Sequence, residues 1–309
     1  MKRDKILITG ASGFVGTALL KSLDKRNIIC LGKTFIPDVD FIHSDYSFSK
    51  SIAKKFHCVK TIIHCAGRAH VMNDDGFESK KLYRQANVDT TANIAMMAKM
   101  AEVKRFVYLS SIKVNGNSNK KPFEPQDDVC PKDYYGLSKL EAEKKLIEIC
   151  QQCSMDYAII RPPLIYGPGA KGNLESLQKF LAKNLPNPFS LIKENKRSMI
   201  SIFNLISLIR CCCEFDDKIN QTFLVSDNHD VSTSEIVDMI SNSIGSRNIP
   251  IPVPTYAWKF LGILFNKSDY VERLVGNLQV NINKTTKFLN WAPKLSVRDG
   301  FKKSFSKDV

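Results

Sequence analysis

Short apolar runs alternate with segments of helical period through the first 170 residues of the chain. The strand-like runs are 5–9, 28–31, 41–43, 61–64, 105–110 and 157–161, and the helix-period segments between them are 14–25, 49–56, 77–101 and 135–153. Strands so brief and so uniformly apolar suit a sheet buried on both faces. Their alternation with helices predicts an α/β fold, a Rossmann-type doubly wound parallel sheet.

Beyond Arg161 the pattern loosens. Pro162-Pro163, Gly167-Pro168-Gly169 and the stretch 184–188 interrupt it, then 201–214 reads as a helix and 222–225 as another strand. Ser232 and Thr233 ahead of Glu235 announce a capped helix over 232–243, and Pro250, Pro252 and Pro254 precede the apolar run 256–265. The expected organisation is a dinucleotide-binding domain over 1–170 with a returning segment at about 201–228. A smaller interleaved lobe, residues 171–200 and 229–309, would hold substrate.

Charge narrows the partners. Forty-five Lys and Arg against 31 Asp and Glu leave a formal charge of +14, compatible with nucleic acid, anionic lipid or an anionic substrate. The basic residues are scattered in doublets such as Lys54-Lys55 and Lys302-Lys303, with no basic tail or nucleic-acid motif, so no nucleic-acid partner is expected. Nine cysteines have no regular spacing, and the Cys150/Cys153 pair has neither a second pair nor a histidine, so no metal site is expected and a reducing compartment is. Met1 to Asp4 lead directly into a strand, and the run 256–265 is half of the ~20 residues a membrane span needs. A cytoplasmic protein without a membrane span is the expectation.

The first strand runs into Gly10-Ala-Ser-Gly13-Phe-Val-Gly16 and then a helix. Gly10 permits the tight turn, Gly13 lets backbone approach a pyrophosphate, and Gly16 lets helix and strand pack closely. Amide groups at the helix start would bind the phosphates. The second strand ends Cys30-Leu31-Gly32-Lys33, without the acid that accepts from an NAD ribose, and Lys33 suits a 2′-phosphate. The cofactor is thus NADP(H) or NAD(H), with a lean toward NADP(H).

Tyr135 and Lys139 lie four residues apart on one helical face. An ammonium there is expected to lower the tyrosine pKa and fit it for proton exchange with a sugar hydroxyl or carbonyl. The strand ending in Ser110-Ser111 places a hydroxyl at the sheet edge where such folds bind ligands.

The set TGASGFVG, HCAG, ANVDTT, LSSIKVNG, YYGLSK and RPPLIYGPG resembles the extended short-chain dehydrogenase/reductases, specifically their nucleotide-sugar epimerase/dehydratase branch. The resemblance runs to Leu289-Asn-Trp291-Ala-Pro293 near the C-terminus. It implies a catalytic set of Ser111, Tyr135, Lys139 and Asn87. It also implies cofactor contacts from Gly10, Ser12, Gly13, Phe14, Val15, Gly16, Lys33, Asp45, Cys65, Ala66, Gly67, Asn87, Tyr135, Lys139 and Pro162. For a UDP-sugar it implies Ser111, Asn173 and Arg197, with Arg273 as a second arginine on the diphosphate. His64 and His70 read as structural or cofactor-side residues. Three positions depart from the galactose epimerases: Ala69 replaces a Lys, Asn115 a Tyr, and Asn204 an Asp.

The runs 68–72, 110–116 and 222–227 are similar to a bacterial capsule and O-antigen subgroup. That resemblance implies NAD(P)H-dependent 4-keto reduction of a UDP-4-keto-6-deoxy-N-acetylhexosamine. Two alternatives stand beside it: a UDP-sugar C4 epimerase holding NAD tightly, and a non-catalytic NADP-binding sensor or scaffold. Relatives of the last kind lose the Tyr/Lys pair. A homodimer through the helices at 77–101 and 135–153 is a further expectation.

Overall fold

Each apolar run of the first 170 residues becomes a parallel strand in the computed structural model, which describes residues 4–68 and 77–306. In chain order the first half contains β1 (Lys5–Thr9), α1 (Phe14–Ser22), β2 (Ile28–Gly32), β3 (Asp40–His43), α2 (Lys50–Lys54) and β4 (Val59–His64). There follow α3 (Phe77–Tyr83), α4 (Thr90–Met100), β5 (Arg105–Leu109), α5 (Tyr134–Gln151) and β6 (Asp156–Arg161). The second half holds β7 (Leu164–Tyr166), α6 (Asn173–Leu181), β8 (Pro186–Asn187), β9 (Met199–Ser201), α7 (Ile202–Glu214) and β10 (Gln221–Leu224). It ends with α8 (Thr233–Ile244), β11 (Ile249–Pro250), α9 (Thr255–Leu264), α10 (Ser268–Val275), α11 (Asn283–Leu289) and α12 (Val297–Phe305).

The seven-stranded sheet has the order β10-β6-β5-β4-β1-β2-β3. Alternate residues of each strand feed opposite faces. Ile8, Ile63, Val107 and Ile160 join Leu19 and Leu205 in one core. Their neighbours Leu7, Ile62, Phe106 and Ile159 join Ile94 and Leu146 in the other. Strand order reverses between β1 and β4, so the loops leaving these two strands diverge and open a crevice at the sheet's C-terminal edge.

The segment expected as one helix over 77–101 is two. A π-helical turn, Arg84–Asp89, separates α3 from α4. One extra residue per turn rotates Asn87 relative to a continuous α-helix, a device frequent at functional sites.

A third core forms where β7, α6, α8 and α12 meet, around Tyr166, Leu174, Val237 and Phe301. Asp227 fastens it to the sheet, accepting from Tyr166 Oη at 2.6 Å and from Asn204 Nδ2 at 2.7 Å. Asn204 also donates to the Leu295 carbonyl and accepts from the amides of Lys294 and Leu295. An amide, which both donates and accepts, satisfies this buried position in a way that a carboxylate would not. The departure at Asn204 therefore has a structural role. The expected capping box of α8 is present, with Ser232 and Glu235 exchanging bonds.

Candidate active site

β1, β4 and β5 end side by side, and their following loops carry most of the singled-out residues. Gly10 turns at φ +69°, and a Cβ there would stand 2.6 Å from the Ala66 amide nitrogen. Only glycine lets the β1 loop lie against the β4 loop this way. Gly13 starts α1 with no side-chain cap, leaving the amides of the first turn for a ligand.

Between the loops is a cavity of about 300 Å³, lined by Gly10, Ser12, Gly13, Lys33, Cys65, Ala66 and Gly67 among others. Val15 and Gly16 are buried behind it in α1, and Phe14 is half-buried. A backbone cradle with free helix amides fits the diphosphate of a dinucleotide, and the slot beside Cys30-Leu31-Gly32 fits its adenosine half. Lys33 is exposed at the rim. Asp45 is exposed outside this lining and accepts from the Ser47 amide at 2.9 Å. Its neighbour Tyr46, which the sequence pattern did not single out, lines the cavity instead. A larger open groove of about 590 Å³, bordered by Arg210, Trp291 and Lys294, contains none of the candidate catalytic residues.

The catalytic candidates meet one loop further along the sheet. Asp133 caps α5 through the Gly136 amide at 2.7 Å and also pairs with Lys113, so the helix starts at Tyr134. Tyr135 and Lys139 then face the ends of β4 and β5. Ser111 hydrogen-bonds the Tyr135 hydroxyl and pulls its pKa down, but burial is stronger and pushes the phenol up to about 12. The expectation of a lowered tyrosine pKa is thus not met in the protein alone, because desolvation dominates.

Lys139 is buried, donates to the Leu109 carbonyl at 2.9 Å and lies 4.8 Å from the Tyr108 ring centre. Burial pushes its ammonium down to about 8, with the charges of Cys65 and Glu143 acting weakly the other way. Asn87 binds the Arg68 backbone through both amide atoms, at 2.8 and 3.3 Å, and donates to Ser138 Oγ at 2.9 Å. A Cβ on Gly67 would lie 2.5 Å from Asn87 Oδ1 and 3.5 Å from Lys139 Nζ, so Asn87, Gly67 and Lys139 form one contact group. Pro162 is buried, and its carbonyl accepts from the Ile112 amide at 3.0 Å, holding the Ser111 turn against the end of β6.

Beneath this group lies a buried network centred on the Arg161–Glu143 ion pair. Arg161 places two nitrogens on Glu143, at 3.0 and 2.6 Å, and a third on Asn115 at 2.9 Å. Ser110 donates to the same carboxylate. Ser110 and Ser111 therefore divide: the first anchors the loop and the second faces Tyr135. Glu143 stands four residues after Lys139, and Arg161 is a charge ending an apolar strand. Both signals were present in the sequence.

His64 is fully buried between Thr9 Oγ1 at 2.6 Å and Thr91 Oγ1 at 3.0 Å, and burial pushes it down to about 3, so it is neutral scaffolding. Ala69 and His70 lie outside the described residues.

In the lobe, Arg197 donates to the Gly276 carbonyl at 3.1 Å, and burial pushes its guanidinium down to about 10. The charges of Glu272 and Arg273 act on it, so α10 brings the two expected diphosphate arginines into one neighbourhood. Asn173 is exposed at the start of α6, whose cap Gly172 contributes no side chain.

A family model of the NAD dependent epimerase/dehydratase family matches residues 6–213, and the chain belongs to that family. It is 42% identical over 307 residues to a UDP-glucose 4-epimerase of Vibrio cholerae, spanning 97% of this chain and 94% of that protein. It is 27% identical to the N-acetyl-alpha-D-glucosaminyl-diphospho-ditrans,octacis-undecaprenol 4-epimerase of Escherichia coli O157:H7, over 81% of this chain and 76% of the relative. The fold matches that of MoeE5 in complex with UDP-glucose and NAD, with a TM-score of 0.78, 19% identity and 97% of both chains covered. This is a family of NAD-dependent enzymes, and the α/β Rossmann fold expected from the sequence is the one observed.

Proposed function

We propose that the protein epimerises C4 of a UDP-hexose with a retained NAD. The observation that carries this reading is the meeting of Ser111, Tyr135, Lys139 and Asn87 beside a dinucleotide-shaped cavity at the strand-order reversal. The 42% identity to a UDP-glucose 4-epimerase over nearly the whole chain favours epimerisation over net reduction. The MoeE5 complex adds a relative of the same fold that takes UDP-glucose and NAD.

Bound NAD supplies the hydride acceptor and donor at C4. The chain supplies the rest. Tyr135 takes the proton of the 4-hydroxyl and later returns it, Ser111 hydrogen-bonds the same oxygen, and Lys139 exchanges protons with the phenol. A lysine held near 8 is suited to this because it gains and loses a proton close to neutral pH. Arg197 and Arg273 bind the diphosphate, and Asn173 at the α6 terminus contacts the nucleotide sugar. The diphosphate stays held while the sugar, once oxidised at C4, would have to turn and present its opposite face, because hydride returned to the same face regenerates the starting sugar.

Lys33 favours a second reading, the 4-keto reductase. It is a cation at the cavity rim where an NAD-selective acid would stand, and it suits the 2′-phosphate of an exchanging NADPH. One experiment separates the two: denature the purified protein, identify released nucleotide, and assay UDP-GlcNAc/UDP-GalNAc interconversion without added cofactor. Retained NAD with interconversion supports the epimerase. Nucleotide-free protein that oxidises NADPH only with a UDP-4-keto-6-deoxy sugar replaces it with the reductase. We further propose a cytoplasmic homodimer through α4 and α5, where Met96 and Met100 are exposed.

A further inference from the structure

Among the described residues, ten of the seventeen exposed large hydrophobic side chains gather at one end of the lobe. Six belong to α9 or its end: Tyr256, Phe260, Ile263, Leu264 and Phe265 are between 62% and 76% exposed, and Leu261 is 40% exposed. The spacing 256, 260, 263, 264 makes one stripe of a helix. The opposite side is committed. Trp258 stacks on Phe189 with ring centres 5.4 Å apart, and Gly262 admits Val271 of α10. Leu185, Leu191, Ile249 and Ile251 stand exposed around β8 and β11, which pair with each other next to the Phe189–Trp258 stack. The stripe is thus not a core face left open by chance. A monomeric surface rarely carries so large an apolar patch without a partner.

Charge identifies the partner. Residues 239–268 contain no Asp or Glu, but they include Arg247, Lys259 and Lys267. Lys259 emerges within the apolar stripe and Lys267 just beyond it, both exposed. A second copy packed on this face would set these lysines against their own symmetry mates with no acid from the same segment to pair them. Anionic lipid headgroups would neutralise them while the acyl boundary takes up the aromatic and aliphatic tips. Ten residues are about 15 Å of helix, too short to cross a bilayer and suited to lie in its surface.

We propose that α9 seats the protein on the surface of an anionic phospholipid bilayer. α9 packs on α10, which carries Arg273 and ends beside the Arg197 partner Gly276, so the seat belongs to the substrate-side lobe. The proposal does not depend on the reaction assigned above, and it is tested by binding rather than turnover.

The full chain is floated with phosphatidylglycerol/phosphatidylethanolamine vesicles and with pure phosphatidylcholine vesicles. The expected result is co-flotation with the anionic vesicles, reduced at about 0.5 M salt. Phe260→Glu/Ile263→Glu should lower the bound fraction at least tenfold without changing far-UV dichroism or activity on a soluble UDP-sugar. Lys259→Glu/Lys267→Glu, which leaves every apolar contact in place, should also release the protein and decides the matter if the first variant does not fold. Absence of wild-type binding overturns the proposal, as does wild-type binding by the lysine variant. A drop in particle mass of either variant by light scattering would show that a second copy covers α9, with the same consequence.

Discussion

Replacing Lys139 by methionine should make the nucleotide-free protein more stable near pH 7 while abolishing most of its activity. Burial lowers the lysine from 10.5 to about 8. A fall of that size means that holding the charged form inside the folded protein costs about 3 kcal/mol. Methionine has nearly the same length and no charge, so it removes this cost and fills the space. The Leu109 carbonyl loses its donor, which returns about 1 kcal/mol. The net gain is about 2 kcal/mol. Its pH dependence has a definite sign. Below about 8 the lysine is protonated in both folded and unfolded chains, and the full cost is present. Between there and 10.5 only the unfolded chain still binds the proton, so wild-type stability rises with pH and the advantage of the variant shrinks. Above 10.5 both forms are neutral, and the lost hydrogen bond leaves the variant slightly weaker. Urea unfolding of both proteins across this range, with turnover measured in parallel, gives the comparison. A variant less stable than wild type at pH 7, or a difference independent of pH, would refute the argument that buried charge sets the properties of Lys139.

Tyr135→Phe should lower turnover by about 10²–10⁴, the worth of a positioned acid or base, and cost only about 1 kcal/mol of stability for the lost bond to Ser111. Near-wild-type turnover would remove the phenol from the chemistry. Arg197→Ala should weaken UDP binding by about 1.5–3 kcal/mol in titration calorimetry and leave dinucleotide affinity unchanged. Equal UDP affinity in both proteins would move the diphosphate contact elsewhere. Arg161→Met strands Glu143, whose side chain is 3% exposed, and should cost about 3–5 kcal/mol in urea unfolding. Adding Glu143→Leu should recover much of that loss, and a single variant of wild-type stability would show that the pair does not hold the Ser110 loop.

The sequence alone determined whatever depends on residues close together along the chain. Strand and helix periods, the Gly10 to Gly16 turn and the Tyr135/Lys139 spacing are local patterns, and the sheet follows from them because short strands joined by helices pair in parallel. The strand ending in Ser110-Ser111 put a hydroxyl at the same sheet edge, and the family motifs added Asn87, which no local pattern ties to Tyr135. Only the tertiary structure decided how these groups behave. A π-helical turn aims Asn87 at the Arg68 backbone, and packing half-buries Tyr135 and buries Lys139, so that desolvation dominates the proton affinity of both. Tyr46 reaches the cofactor cavity through a loop fold that no period announces. The run 256–265 was visibly apolar in the sequence, but helix period alone does not say which side meets the protein. Trp258 and Gly262 take the inner side, and that choice leaves Phe260 and Ile263 outside. Burial is a sum over contacts distant in sequence, so desolvation, exposed faces and buried ion pairs are all decided by the assembled fold.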